Sequence, residues 1–298
     1  MSRTDRYAVI GNPIAHSRSP QIHALFAHQT RQPLQYDRIL ADEPAFESVV
    51  QQFFREGGRG LNVTVPFKLR AYAMAEPRLS ERARAAGAVN TLWQQDGALH
   101  GCNTDGVGLV RDLARLGVEL QGANVLLIGA GGAARGVLLP LIEAGCARIH
   151  IVNRTSSRAD ELARQFARAD GTTRLTAGAP DSAAAAGYAW DLAINATSSS
   201  LTAGTVPVPA HALRDCSWAY DMMYGARPTP FMVAAEQAGA RTADGLGMLV
   251  EQAAESFAIW RGIRPDTGPV LQALRHAIAE GAGPDADLIS RLHPGAAA

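Results

Sequence analysis

The chain has 298 residues, of which 47% are hydrophobic and 19% are charged, so it can bury the core of one large or two medium-sized domains, and global disorder is excluded. Its 28 basic and 28 acidic residues cancel to a formal net charge of zero. Nothing in this balance attracts the protein to nucleic acid or to an anionic membrane, so neither is expected as a partner.

Three cysteines, Cys102, Cys146 and Cys216, are widely spaced and odd in number. This pattern predicts thiols in a reducing compartment and not a disulfide framework. The N-terminal segment has no apolar run long enough for a signal peptide, and no stretch reaches the length of a membrane span. We therefore expect a cytoplasmic protein.

The front of the chain alternates short β-rich segments with amphipathic ones. Phe46, Val49, Val50 and Phe53 are spaced so that they form one apolar stripe on a helix. Pro66 ends the third strand, because proline cannot donate to the ladder of a central strand. The predicted strands are 7–10, 34–40, 60–65, 88–93 and 98–102, and the predicted helices are 20–29, 44–56 and one that begins at Asp105.

From Asn124 onward the alternation is more regular. The predicted strands are 124–129, 147–153, 191–195 and 218–222, and the predicted helices are 136–145, 156–167 and 230–239. Strands that alternate with helices of this length indicate a parallel sheet that helices cover on both faces. The last residues, 283–298, are rich in Gly, Ala and Pro and are predicted to form a flexible tail.

A glycine-rich turn, Gly129-Ala130-Gly131-Gly132-Ala133-Ala134, follows one of these strands and opens a helix. In this context the first glycine permits a tight turn, and the second lets the backbone approach a pyrophosphate. Ala134 takes the third position, where a small residue keeps helix and sheet close. The motif predicts a dinucleotide site, although an ordinary strand–helix turn would also use these residues.

The end of the next strand indicates which nucleotide binds. An NAD enzyme usually carries Asp or Glu there to bind the ribose hydroxyls. This strand instead ends in Asn153-Arg154-Thr155, followed by Arg158, with no carboxylate. Two guanidinium groups can bind a 2′-phosphate that a carboxylate would repel, so we predict NADP. Two solvated surface arginines are the alternative explanation.

The front half also carries an unusual set of short polar side chains. Ser17 and Ser19 lie in the loop GNPIAHSRSP, and Asn90, Asn103 and Thr104 lie at predicted strand ends. Binding a polyhydroxylated ring requires many neutral hydrogen-bonding groups of this kind. Each residue could also be a cap or a turn residue; Ser19 before Pro20, for example, is a typical helix N-cap.

Together these motifs resemble those of the shikimate dehydrogenase family. The matching segments, in chain order, are NPIAHSRSP, NVTVPFK, GAVNT, GCNTDGVG, GAGGAAR, NRT, NATS, YDMMYG and ADGLGMLVEQAA. The resemblance implies an α/β fold with a Rossmann-type NADP domain over 107–246. It also implies a second, discontinuous α/β substrate-binding domain over 1–106 and 247–282, with the active site in the cleft between the two. The implied activity is NADPH-dependent, reversible reduction of 3-dehydroshikimate to shikimate in aromatic amino acid biosynthesis.

The same resemblance assigns roles by position. The catalytic pair would be Lys68 and Asp105. The residues implied for substrate binding are Ser17, Ser19, Thr64, Asn90, Asp105, Tyr224 and Gln252. The residues implied around NADP are Gly129, Ala130, Gly131, Gly132, Ala133, Asn153, Arg154, Thr155, Arg158, Thr197, Met222 and Gly245. By hypothesis Lys68 either donates a proton to the ketone oxygen or stabilises its negative charge, and Asp105 orients the ammonium group.

Other functions are less well supported. His16, His23 and His28 form no metal-liganding set with nearby cysteines or carboxylates, so they are predicted to lie in a loop or on a helix surface and no metal is expected. No G-x-S-x-G sequence supports a hydrolase. An NAD-dependent quinate/shikimate dehydrogenase and a non-catalytic nucleotide-sensing protein on the same fold remain as alternatives. We leave open whether the chain forms a homodimer.

Overall fold

The computed structural model describes residues 4–167, 171–184, 189–197 and 206–292. The chain divides into two compact units, residues 1–104 with 250–298 and residues 105–249, whereas the boundaries predicted from the sequence lie after residues 106 and 246. Part of the predicted flexible tail is held in place, because backbone carbonyls of residues 283, 284 and 286 accept hydrogen bonds from Gln21 and Arg38. The rest of that tail, 293–298, lies outside the described residues.

The elements of the described residues are numbered in chain order. The strands are β1 Asp5–Gly11, β2 Leu34–Leu40, β3 Gly58–Val63, β4 Thr91–Gln95, β5 Ala98–Cys102, β6 Asn124–Ile128, β7 Arg148–Val152, β8 Arg174–Gly178, β9 Leu192–Asn195, β10 Trp218–Asp221 and β11 Arg241–Asp244. The helices are α1 Ser19–Thr30, α2 Phe46–Arg55, α3 Lys68–Ala75, α4 Glu81–Ala86, α5 Asp105–Arg115, α6 Gly132–Glu143, α7 Ser156–Phe166, α8 Pro230–Gln237, α9 Leu246–Arg261, α10 Thr267–Ala279 and α11 Ile289–Leu292. None of these helices is long and apolar enough to cross a membrane.

The described part of the first unit contains a five-stranded mixed sheet in the order β2-β1-β3-β4-β5. Strands β2, β1 and β3 are parallel, and β4 and β5 continue the sheet in antiparallel fashion. The turn between β4 and β5 is Asp96-Gly97, and both residues have positive φ, 52° and 75°. A two-residue turn of this kind matches the twist of a β-hairpin, so this dipeptide accounts for the antiparallel edge.

Strand β1 is buried on both faces, because its side chains alternate between two cores. Ala8 and Ile10 belong to a core that includes Phe46 of α2 and Phe67, just before α3. Tyr7 and Val9, on the opposite face, belong to a smaller core with Tyr36 and Ile14. At β1 the sheet is therefore a central layer between two cores.

The second unit contains, within its described residues, a six-stranded sheet in the order β11-β10-β9-β6-β7-β8. Every neighbouring pair is parallel. Counted from β6, this is the 3-2-1-4-5-6 order of a dinucleotide-binding Rossmann sheet. The strand order reverses between β6 and β9, and ligands of such sheets bind beyond the carboxyl ends of the strands at this point. The glycine-rich turn follows β6 directly and so lies there.

Candidate active site

The topology of the first unit brings most of its predicted site residues to one edge of the sheet. The parallel strands β1 and β3 end at Gly11 and Val63, so the loop with Ser17 and the segment with Thr64 both begin there. Strand β4 runs in the opposite direction, so Asn90 just before its start lies at the same edge. Segments that are far apart in the chain therefore meet at a single place.

Asn90 is at the centre of a buried hydrogen-bond network at this edge. Its Oδ1 accepts from the Thr91 hydroxyl at 2.8 Å and from the Thr104 backbone N–H at 2.9 Å. Its Nδ2 donates to Thr104 Oγ1 at 3.0 Å and to Gln252 Oε1 at 3.3 Å. Asn90 is only 3% exposed, so its amide is locked in one orientation. The network thus links two predicted substrate residues, Asn90 and Gln252.

A second asparagine, Asn62, extends this network across the sheet. Its Nδ2 donates to the backbone oxygen of Asn90 at 3.0 Å and to Ser256 Oγ at 3.1 Å. Its Oδ1 accepts from the Tyr36 hydroxyl at 2.6 Å. Ser256 is not among the site residues predicted from the sequence, although it lies four residues after Gln252 and so on the same face of α9.

The predicted serine pair is also connected to these groups. Ser17 Oγ lies 3.2 Å from Ser19 Oγ and accepts from the Ser19 backbone N–H at 3.3 Å. Tyr36 is buried, which raises its pKa well above the ordinary value, while a hydrogen bond with Ser19 acts in the opposite direction. The tyrosine therefore stays neutral and donates to Asn62. Tyr36 thus lies close to Ser19 and is joined to the network through its hydrogen bond to Asn62.

Lys68 is the first residue of α3 and is held by its backbone. The Phe67 N–H donates to Thr64 O, and the Val89 N–H donates to Lys68 O, both at 3.0 Å. The Lys68 side chain is half-buried. Asp105 follows Thr104 directly and begins α5, as predicted from the sequence, but it is the first residue of the second unit. The pairing of Lys68 with Asp105 stays a prediction.

The prediction for His23 is wrong. His16 and His28 are exposed, but His23 is 0% exposed, because α1 packs this face against the Tyr36 ring at a centroid distance of 4.1 Å. Neither ring nitrogen has a hydrogen-bond partner among the described residues. Burial lowers the pKa of His23 to about 3; Asn62 lies close enough to oppose this shift without reaching hydrogen-bond geometry. His23 is therefore neutral in the folded protein.

The buried histidine predicts a loss of stability in mild acid. The pKa of His23 is about 3 in the folded protein, against 6.5 for an ordinary histidine, so between these values the unfolded chain binds a proton that the folded chain does not. The free energy of unfolding should therefore fall by roughly 1.4 kcal/mol for each pH unit below 6.5. In denaturant titrations, His23→Phe should remove this part of the pH dependence. The exposed control His28→Phe should leave it unchanged, and an equal slope in both variants would contradict the assignment.

The glycine-rich turn of the second unit has open space where a cofactor would bind. A Cβ added to Gly131 or Gly132 would meet no atom within 4 Å, so packing does not require these glycines. Gly129 differs, since its φ is +111° and an added Cβ would lie 3.0 Å from Thr197 Cγ2. Ala134 is fully buried, as the third position of the motif requires. Helix α6 has no side-chain N-cap, so its first N–H groups point to the same space.

Two glycine variants distinguish an effect on cofactor binding from an effect on folding. Gly131→Ala should raise KM for NADP by about tenfold or more, because the methyl group occupies space that a pyrophosphate would need. Its unfolding midpoint should not fall, because φ is −89° and the added methyl group meets nothing. Gly245→Ala, in contrast, should lose roughly 1–3 kcal/mol of stability, since its Cβ would lie 2.1 Å from Met222 O. Steady-state kinetics and thermal unfolding of both variants test this.

The residues after β7 form an exposed basic corner. Asn153 Nδ2 donates to Thr155 O at 2.9 Å and shapes the turn into α7. Arg154 and Arg158 are exposed, and within the described residues neither guanidinium group makes a hydrogen bond or an ion pair; the Arg158 backbone N–H donates to Thr155 O at 3.1 Å. No acidic residue lies in the first turn of α7. Arg158 lies in the first turn of α7, at the positive end of the helix dipole. A cation there is unfavourable unless an anion is also bound.

At the ends of β9 and β10, a buried carboxylate organises the other predicted cofactor residues. Asp221 is 0% exposed and accepts from Asn195 Nδ2 at 3.2 Å and from the Met223 N–H at 3.0 Å. Asn195 Oδ1 in turn accepts from the Thr197 hydroxyl at 2.7 Å. Gly245 lies against Met222, and its N–H donates to Met223 O at 3.0 Å. Tyr224 lies half-buried in the loop that follows β10.

The first unit thus presents a dense set of neutral polar groups, and the second is a Rossmann unit with a glycine-rich turn. Together these two units define a two-domain dinucleotide-binding protein of the dehydrogenase type. Residues 9–92 match the family model for the shikimate dehydrogenase substrate binding domain, 112–203 that for shikimate/quinate 5-dehydrogenase, and 245–275 that for the shikimate 5′-dehydrogenase C-terminal domain. The chain belongs to the shikimate dehydrogenase family.

Individual relatives are similar over nearly their whole length. The shikimate dehydrogenase (NADP(+)) of Bordetella petrii is 63% identical over 273 residues, which cover 91% of this chain and 95% of the relative. Among solved structures, an Ael1 enzyme from Pseudomonas putida has 47% identity and a TM-score of 0.85, with 91% of this chain and 98% of that chain covered. Shikimate 5-dehydrogenase from Thermus thermophilus, solved with NADP(H) and shikimate, has 33% identity and a TM-score of 0.81, with 92% and 100% covered.

Proposed function

We propose that this protein catalyses the reversible, NADPH-dependent reduction of 3-dehydroshikimate to shikimate, a step of aromatic amino acid biosynthesis. The observation that carries the proposal is the buried network around Asn62 and Asn90, which orients short neutral hydrogen-bonding groups at one edge of the first sheet. Such groups match a ring acid with several hydroxyls. The relatives from Bordetella petrii and Thermus thermophilus are both named shikimate dehydrogenases. Three buried cysteine thiols fit a reducing compartment, so we place the enzyme in the cytoplasm.

The cofactor is NADP, and the basic corner after β7 supports this choice. Arg154 and Arg158 lie where an NAD enzyme would carry a carboxylate, and Arg158 stands in the first turn of α7, where a cation is unfavourable by itself. A 2′-phosphate bound there would remove this cost and accept charge-assisted hydrogen bonds from both guanidinium groups. Thr155, Asn153 and Thr197 would complete the polar surroundings.

In the proposed reaction, bound NADPH supplies a hydride to the ketone carbon at C3. The negative charge then develops on the carbonyl oxygen, which must gain a proton to become the C3 hydroxyl. Lys68 would hold or donate that proton, and Asp105 would orient the ammonium group and the ring hydroxyls. Ser17 and Ser19 would bind the substrate carboxylate. The remaining residues that we assign to the ring are Thr64, Asn90, Tyr224 and Gln252.

The purified protein should show an absorbance change from NADP reduction when shikimate is added. Parallel reactions with quinate, and with NAD in place of NADP at equal concentration, distinguish the alternatives. Faster turnover with quinate or with NAD would favour a quinate/shikimate dehydrogenase. Binding of NADPH without any consumption in the presence of 3-dehydroshikimate would favour a nucleotide-sensing protein. Light scattering of the same sample would decide between a monomer and a homodimer.

A further inference from the structure

The segment 281–288, which we call the C-terminal strap, follows α10 and lies beyond residue 275, where the match to the family models ends. Side chains in or next to residues 11–20, the loop with Ser17 and Ser19 that we call the serine loop, donate hydrogen bonds to the backbone of the strap. Arg18 Nη2 donates to the carbonyl of residue 282 at 2.8 Å. Gln21 Nε2 donates to the carbonyls of residues 283 and 286 at 3.2 and 2.8 Å. Leu288 at the end of the strap is buried, so this end of the segment is held by packing as well as by hydrogen bonds.

Arg38 in β2 connects the strap to the serine loop. Its Nε and Nη2 donate to the backbone oxygen of Ser17 at 2.9 and 2.6 Å. Its Nη2 also donates to Pro284 O at 2.8 Å, and its Nη1 pairs with Asp285 Oδ1 at 2.6 Å. The Arg38 side chain is only 18% exposed. Because a guanidinium group is planar and rigid, these bonds hold the loop and the strap in one relative position.

The position of the Ser17 backbone determines where two predicted substrate hydroxyls point. Ser17 Oγ accepts from the Ser19 N–H and lies 3.2 Å from Ser19 Oγ, so the two side chains move together. If the Ser17 carbonyl lost its partner, the loop could rotate about this peptide. A misplacement of about 1 Å can lower catalytic efficiency by a hundredfold when it affects substrate-positioning groups.

We propose that Arg38 is a positioning residue for recognition of the substrate carboxylate. The C-terminal strap holds Arg38 in place and so completes the site at which the carboxylate binds. Arg38 acts through Ser17 and does not itself touch the substrate. This inference rests on the proposed function, because it takes Ser17 and Ser19 as the groups that bind the carboxylate of a ring acid. It adds a role for residues after 275, which the family models do not cover.

The kinetic test compares Arg38→Ala with the control Arg59→Ala, which removes an arginine from the same sheet that pairs with Asp5 instead. Arg38→Ala should raise KM for shikimate by about tenfold or more, with kcat and KM for NADP unchanged. Truncation after Gly281 should shift KM in the same direction. Asp285→Ala should have little effect, because Asp285 is 84% exposed and such pairs are weak. An unchanged KM in Arg38→Ala, or a fall in kcat as large as that in kcat/KM, would overturn the proposal.

A substrate analogue makes the test specific to the carboxylate. The carboxamide of shikimate should be a poorer substrate than shikimate for the unaltered enzyme, and this difference should shrink in Arg38→Ala. If the difference persists, Arg38 does not act on carboxylate recognition.

Hydrogen exchange gives a readout that does not depend on turnover. Amides of residues 12–22 should exchange faster in Arg38→Ala and in the truncated protein, whereas those of 124–128 in the other unit should not change. Unchanged exchange in 12–22 would overturn the positioning role. If the unaltered protein fails to oxidise shikimate, the proposed function fails, and the exchange data alone decide whether Arg38 and the strap hold the loop.

Discussion

Replacing Lys68 with alanine is expected to lower kcat by about 10²–10⁴-fold with little change in KM for shikimate, because positioned proton transfer contributes about this much to catalysis. Little structural damage should accompany the loss. The backbone hydrogen bonds of this segment, such as that from the Val89 N–H to Lys68 O, are retained by alanine. Initial rates at saturating NADP, with circular dichroism to confirm folding, measure the effect.

Arg70 provides a matched control for this variant. It is a second cation on the same helix, and its guanidinium pairs with Glu47. Arg70→Ala should keep nearly normal kcat. If Lys68→Ala also keeps near-normal kcat, Lys68 has no part in the chemistry. Lys68→Arg then separates the two roles left open: arginine keeps the charge but cannot release its proton, so retained activity would indicate electrostatic stabilisation and lost activity would indicate proton donation.

Replacing both Arg154 and Arg158 with alanine is expected to remove most of the preference for NADP over NAD. Each charge-assisted hydrogen bond contributes roughly 1.5–3 kcal/mol, so two together correspond to about a hundredfold or more in kcat/KM with NADP. The value of kcat/KM with NAD should hardly change, because NAD has no 2′-phosphate. The stability of the variant should be unchanged or slightly higher, since Arg158 lies at the unfavourable end of the α7 dipole.

The control for the arginine pair is Arg164→Ala in the last turn of the same helix, where a cation is favourable. It should leave both values of kcat/KM unchanged. The NADP assignment would be contradicted if the double variant lost activity equally with NADP and NAD. A loss with NADP in Arg164→Ala of the same size would show that only general surface charge matters.

Local sequence signals determined much of this protein. The glycine-rich turn was identifiable because the torsion angle of Gly129 and the small side chains after it are requirements of a single strand–turn–helix unit. Strands 34–40 and 98–102 were predicted with their observed bounds. The segments Arg174–Gly178 and Arg241–Asp244 were missed because they are the edge strands of the second sheet, only partly buried, and carry no strong apolar pattern.

Only the tertiary structure decided which polar residues act together. Tyr36, Asn62, Asn90 and Ser256 come from four separate segments, and no local pattern joins them; they meet because parallel strands end at a common edge and α9 packs there. From the sequence His23 is an ordinary polar residue on a helix, but packing in the folded protein buries it completely. Hydrogen bonding and burial between distant segments depend on the whole fold, whereas turn chemistry and strand periodicity are already present in a few neighbouring residues.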